Sequence, residues 1–481
     1  MKAYKDIFHL LVGKGADLSL VDEEEKTILH KACMGGSIEI VDYVLSGKPV
    51  DINIRDDNDD TPVMIAARKG HKDVFDLLVR KGADLTLKGD DGTILYTACE
   101  GGDIEIVKYM LGQNVSSIHT CGPEWFTPVL KAANHGHWEV FDLLVLKEAS
   151  LLVKCESIEN ILHAACTGGN MKIVKCVLEK KIVNINSEGV YGVTPAMVAA
   201  SRGHKDVFDL LIEQGADLSV VDKHGSNILH KACEGGNIEL IKYVLTEDIV
   251  DINSRSNDGT TAVMEAVKCG HKEVLHLLSI NGANMSTTHN STGYNILHFA
   301  LIFKQGETAR YILTQDFVSI NVTNGNGITP VMLAALCGYR DVFDLLVKKG
   351  ADLTQVDDDG NSILHLACTV NVQIVKYLLS HNTVDINTRG KNGRTPLLEA
   401  ANEGNALTFD ELLKKGANTS MKDNEDNNIL HLATTGGYAD LVKYILSQAI
   451  VDVSAKNKDG YNAVQIAEGV FPAIVSVLKR Y

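Results

Sequence analysis

DTPVMIAARKGHKDVFDLLVRKGADL occupies residues 60–85, and ITPVMLAALCGYRDVFDLLVKKGADL occupies 328–353, 268 residues further on. A phrase spelled twice is either a pair of chemical sites or a building unit that needs neighbours of its own kind. Its parts favour the unit. Thr61 is of a type that caps a helix start by accepting a backbone N–H, and Pro62 suits the first helical position, where its missing donor costs nothing. Val63, Ile65, Ala66 and Ala67 give the short helix that follows an apolar face. Gly70 ends it, since glycine takes the left-handed C-terminal turn without strain. VFDLLVR is a second amphipathic helix closed by Gly82, and ADLTLKGDDG (83–92) reads as a turn leading to the next unit.

Working outward, the cap recurs every 32 to 34 residues: Thr27, Thr61, Thr93, Thr127, Asn160, Thr194, Asn227, Thr261, Asn295, Thr329, Ser362, Thr395, Asn428 and Asn462. Five of these fourteen anchors are followed by proline, which uses most of the eight prolines in the chain. Two wordings alternate, one with TPVM, GH and GAD, the other with ILH-x-AC-x-GG and VDIN, so the duplicated module is a pair of about 67 residues. The chain divides into a partial unit over 1–26, thirteen full units over 27–461 and a shortened unit over 462–481. None can bury its apolar faces alone, so neighbours must stack. The expected fold is an all-α repeat solenoid of helix–turn–helix units joined by β-hairpin loops.

The wording TPVM-x-AA-x-x-GH-x-x-VFDLL-x-x-GADL resembles the ankyrin repeat, and the resemblance covers essentially the whole chain. It implies a protein-binding scaffold that uses the concave surface of hairpin tips and first helices. An alternative of another class is a regulatory or recruiting segment of a larger protein, such as a channel arm, an enzyme's targeting arm or a secreted effector. At the N-terminal end, KAYKDIFH (2–9) matches a second helix whose first helix is missing, which suggests a cut fragment or an added Met. At the other end, the unit with Pro472 reads as an end cap.

Composition narrows the partners. With 45% hydrophobic residues the 481-residue chain is not broadly disordered, and its charge of −16 disfavours nucleic acid and anionic membrane, which reward clustered Lys and Arg. No apolar run reaches spanning length, so no membrane insertion is expected. The chemistry-bearing residues follow the repeat. His30, His163, His230, His298, His365 and His431 hold the TPLH-type position, where the resemblance implies a hydrogen bond to loop backbone. His71, His137, His204 and His271 follow the turn glycine, and Cys33, Cys99, Cys166, Cys233 and Cys368 fill one small core position. Phosphate-loop, zinc-protease, serine-hydrolase and C-x-x-C motifs are all missing. The expectation is no catalysis, no metal and no cofactor, in the cytoplasm or another reducing compartment.

Candidate binding residues lie where units depart from their own wording. The Thr127 unit enters through HTCGPEWFTP and holds Trp125, Phe126, His135 and Trp138, including both tryptophans of the chain. They read as an interface hot spot or as the repair of a local packing defect. Twelve of the fourteen anchored units keep a glycine between their helices; those at Asn295 and Ser362 carry Ile302 and Phe303, and Val370 and Asn371. These two units flank the Thr329 unit, so the irregularity is one patch, a partner groove or simple repeat decay. The missing glycines predict a strained turn in each. Finally, Asn53, Asn186, Asn253, Asn321 and Asn387 each follow a leucine by eight residues. This is similar to ankyrin asparagines modified by a cytosolic asparaginyl hydroxylase, making Asn53, Asn253 and Asn387 candidate hydroxylation positions, unless asparagine simply suits the loop.

Overall fold

The structure is a computed structural model that describes residues 2–47, 50–113, 115–122, 126–152, 160–381 and 383–480. Its chain forms two compact units, Met1–Val250 and Asp251–Tyr481. Each is a run of helix pairs. In the Thr61 unit the helices are Pro62–Arg68 and Lys72–Arg80, and in the Thr329 unit Pro330–Leu336 and Arg340–Lys348. Every anchor immediately precedes a first helix, and most cap it: the Thr93 and Thr329 hydroxyls and the Asn295 amide oxygen accept backbone N–H groups of the first turn. Thr61 and Thr127 depart from the expectation, since neither side chain accepts such a bond.

The core is built between neighbours. Val63, Met64, Ala66 and Ala67 of one first helix are fully buried, as are Phe75 and Leu78 of the helix behind it. A T-shaped Phe–Tyr pair joins second helices of adjacent units at Phe75–Tyr109 and Phe208–Tyr243, and again at Phe343–Tyr377 and Phe409–Tyr444, with centroids 5.5–6.3 Å apart. Such aromatic contacts add to the area each ring buries. The small core thiols are shut in, and burial pushes that of Cys33 up to about 12.

The connecting loops are shallower than full β-hairpins. One antiparallel pair, Lys88–Gly89 with Gly92–Thr93, is a regular strand pair among the described residues. Most other described tips are five-residue turns with a backbone bond across their ends, as in Asp56 N–H to Asp60 O (3.1 Å) and Asp357 N–H to Asn361 O (3.0 Å), and two are flanked by isolated antiparallel bridges, Arg255 with Thr261 and Val356 with Ser362. Several tips also bond the next within one compact unit, for example Asp358 N–H to Asn326 O and Asn424 N–H to Asn392 O.

The turn between helices holds a second correction. The left-handed residue lies nine positions after the anchor, as at Gly236 (φ 73°) and Gly338 (φ 75°). In the Asn295 unit that place is Lys304 (φ 60°), just beyond Phe303. The strain expected of this unit is therefore carried by Lys304. The Ser362 unit escapes it: its turn is one residue shorter, and neither Val370 nor Asn371 has positive φ.

Candidate protein-binding surface

Two sets of side chains stitch neighbours together and are spent in doing so. The TPLH-type histidines reach forward. His298 Nδ1 faces the Asn295 N–H (3.4 Å), while its Nε2 meets Ile328 O (3.0 Å) in the following loop. His163 and His365 repeat this with Val193 O and Arg394 O. Burial lowers the pKa of these imidazoles, that of His298 to about 4. The residues after the turn reach back: His137 Nε2 to Glu100 O (2.8 Å), His204 Nε2 to Thr167 O (3.1 Å), and Asn405 Nδ2 to Cys368 O (3.0 Å). Asn371, a candidate binding residue, belongs to this stitch. Its Nδ2 donates to Gly338 O (3.1 Å), and its Oδ1 accepts from Gln373 and Ile374 N–H.

The loop asparagines form a third stitch that the sequence left open. Asn53 Oδ1 accepts the Asp84 N–H (2.9 Å), Asn253 that of Asn284 (2.8 Å) and Asn387 that of Asn418 (2.8 Å), each 31 residues on. Asn186 and Asn321 do the same. A short amide acceptor is what this loop requires.

The tryptophan-bearing unit is more inward than its sequence suggested. Trp125 lies outside the described residues. Phe126 is 8% exposed, so its ring is packed and does not project from a loop tip. His135 is exposed, stacked on His137 at 6.1 Å, with Nδ1 on Lys131 O. Trp138 is half-buried and explained by its neighbour. Elsewhere the position holds Lys205 or Arg340, each lying over the tyrosine of the following unit, Tyr243 or Tyr377. After Trp138 that tyrosine is replaced by Cys176, and Lys172 lies over the tryptophan ring (5.9 Å). The cation and the aromatic ring have exchanged sides of the junction.

The other departure is open. Ile302, Phe303 and Val370 are 38%, 39% and 55% exposed. They occupy the seventh and eighth positions after their anchors, at or just beyond the ends of first helices. In most other units those positions are polar or glycine, as in Arg68, Glu100, Asn134, Ser201, Glu234 and Asn402. Glycine is needed at several of them because backbones nearly touch: a Cβ on Gly235 would stand 2.1 Å from Ala200 O. Phe303 holds the corresponding place. Its ring stacks on Phe299 (5.8 Å) and sits beneath the Lys268 ammonium (5.8 Å).

Residues 1–89, 131–222, 214–289, 276–357, 352–423 and 398–478 match the family described as ankyrin repeats (3 copies). The chain belongs to the ankyrin-repeat family. Its ankyrin units are similar to human transient receptor potential cation channel subfamily A member 1, 24% identical over 462 residues, 78% of this chain and 41% of that protein. They are also similar to the phosphocholine transferase AnkX of Legionella pneumophila, 26% identical over 330 residues, 60% of this chain and 34% of the relative. The palmitoyltransferase AKR1 of Lachancea kluyveri is 28% identical over 243 residues, 50% of this chain and 28% of that protein. The chain thus spans well under half of each of these relatives. The crystal structure of the human ASB11 ankyrin repeat domain matches with a TM-score of 0.35 at 23% identity, over 42% of this chain and 90% of that one. Ankyrin repeats are protein–protein interaction units, and among the described residues no helix is long and apolar enough to cross a membrane.

Proposed function

We propose that the chain is a non-enzymatic protein-binding scaffold, acting in a reducing compartment, that recognises partners through its first helices and loop tips. The observation that carries this reading is the division of labour among its polar side chains. The recurrent histidines and asparagines are consumed in holding one ankyrin unit to the next, as His298 and Asn253 are. What varies from unit to unit is the exposed end of the first helix, from Glu234 to Ile302. A recurrent frame with a variable outward row suits recognition. The surface around Ile302, Phe303 and Val370 is its foremost candidate, with His135 and Trp138 second. A channel, a palmitoyltransferase and a phosphocholine transferase among the relatives support the alternative that these units serve as the recruiting or regulatory segment of a larger protein.

The test is crosslinking of the whole chain in cell extract, with photoreactive groups placed at first-helix ends or on second helices. Partners captured from the first-helix row alone are the expected result. Capture from the second helices alone would overturn the assignment of the face.

A further inference from the structure

The opening helix of the chain, Lys2–Gly13, presents a face that other units keep covered. From Lys5 onward it aligns with the second helices Lys72–Arg80 and Lys205–Glu213. It docks as they do: Phe8 is buried and edge-on to Tyr43 at 5.6 Å, as Phe75 is to Tyr109 and Phe208 to Tyr243. The residues around Phe8 differ. Ile7, Leu10 and Leu11 are 52%, 62% and 54% exposed, while Val74, Leu77 and Leu78, like Val207, Leu210 and Leu211, are at most 8% exposed. In those two units a first helix, Pro62–Arg68 or Pro195–Ser201, packs against the second.

Two residues of the Thr27 unit mark where such a helix would lie. Ile28 is half-buried, whereas Ile94, Ile161 and Ile228, each preceded by a complete unit, are 0–1% exposed. Gly35 is the sharper sign. Its counterparts must be glycine because the preceding first helix comes close: a Cβ on Gly101, Gly168 or Gly235 would stand 2.1 Å from Ala67 O, Ala133 O or Ala200 O. Gly35 itself has an ordinary φ of −82°, and a Cβ there would meet only carbonyls of its own helix, no closer than 3.4 Å. No neighbour among the described residues requires glycine at this place.

We infer that this end face binds a short helix of another polypeptide, built like an ankyrin first helix. Its features follow from the covered units: a Thr-Pro start, an apolar side for Ile7 and Leu11, and alanine where its last turn meets Gly35, as Ala67 meets Gly101. The opening helix speaks for a separate polypeptide. It stays helical through Lys2–Tyr4, with Ala3 at the place of the turn glycines Gly70 (φ 67°) and Gly203 (φ 70°), which elsewhere lead back to a first helix. A second copy has no such helix to give, since its own are packed into its core, as Val63, Met64, Ala66 and Ala67 are. This face is distinct from the row of first-helix ends, so the inference goes beyond the scaffold reading and does not rest on it.

The probe is a labelled peptide of residues 57–71, DNDDTPVMIAARKGH, titrated into the whole chain with fluorescence anisotropy as the readout. Saturable binding is expected. It should weaken roughly tenfold or more with Gly35→Ala, which sets a Cβ in the path of the peptide backbone, and with Ile7→Glu plus Leu11→Glu. Neither variant should lower the melting temperature of the free chain, because Ile7 and Leu11 are open and Gly35 is unconfined. No saturable binding, or binding that either variant leaves unchanged, would overturn the inference. So would an earlier melt of the free Gly35→Ala chain, since the place would then be filled already. Dimers in sedimentation that Ile7→Glu plus Leu11→Glu dissociates would give the face to a second copy. Stabilisation only when the peptide is joined ahead of Lys2 through a glycine turn would give it to the same polypeptide. Either result would overturn the separate partner, and the crosslinking of the first-helix row is decided independently of both.

Discussion

Two stretches break the repeat wording, the Thr127–Asn160 junction and the Asn295–Ser362 run, and the structure treats them in opposite ways. At the first, two of the departures are answered nearby: Phe126 is packed, and Trp138 stands where the missing tyrosine at Cys176 leaves room, with Lys172 over its ring. At the second, Ile302, Phe303 and Val370 stay partly open to solvent, although the Phe303 ring is flanked by Phe299 and Lys268. An odd residue in a repeat is informative about binding only when its neighbours have not changed to accommodate it. The charged counterpart points the same way. Arg68 is closed in by Asp60, by Asp91 at 2.8 Å and by Glu100 at 3.8 Å, which also meets Lys131 at 3.1 Å, so the charges of this part of the first-helix row are paired internally.

The largest effect expected is at the first region. Phe126→Ala should destabilise the fold by about 3–5 kcal/mol, the range for emptying a packed aromatic site, read as a lowered melting temperature. Melting unchanged by this substitution would place Phe126 with the open residues and break the contrast.

The buried histidines come next and sharpen the second region. His298 is held neutral down to about pH 4, below the 6.5 of a free imidazole. The unfolded chain therefore takes up a proton that the fold refuses, and stability is lost as pH falls through that window. The loss reaches about 2 kcal/mol at pH 5. Urea unfolding at neutral and mildly acid pH should show a smaller drop for His298→Gln than for the native chain.

Strain at the second region's turn gives a smaller effect of opposite sign. Lys304→Gly places a residue without a Cβ at φ 60° and should stabilise by about 1 kcal/mol. Amide exchange in the Gly306–Thr314 helix should slow accordingly. Exchange already as slow as in the Lys205–Glu213 helix would show that the turn is not strained.

The smallest effect concerns the exchanged pair. Trp138→Lys and Cys176→Tyr should each be unfavourable alone, while together they restore the lysine-over-tyrosine arrangement seen at Lys205 and Tyr243. A coupling of about 0.5–1.5 kcal/mol in a double-mutant cycle is expected. Strict additivity would mean that Trp138 and Cys176 changed independently.

Most of the fold was legible because repetition makes each helix start, turn and loop visible many times: the Thr/Asn caps and left-handed glycines read from residues 60–85 stand in the structure at Thr93, Asn295 and Gly236. Exceptions were single-residue matters of register. The left-handed position belonged to Lys304, one place beyond Phe303, because two adjacent glycines in the other ILH-type units, such as Gly235 and Gly236, concealed which of them had positive φ. The binding surface was half legible. Missing glycines drew attention to Phe303 and Val370, which stay partly open, but equally to Asn371, whose amide is spent on the Gly338 carbonyl. Phe126 misled because an aromatic residue entering a loop looks the same in sequence whether its ring turns inward or outward.

The contrast itself rests on whether Ile302 and Val370 contribute to the fold. Thermal melting of the Ile302→Glu, Val370→Thr double variant tests it most directly. Exposed positions should tolerate this change to within about 0.5 kcal/mol each, leaving the melting temperature nearly where it was. A fall comparable to that of Phe126→Ala would show that these open residues are core, and would contradict the account.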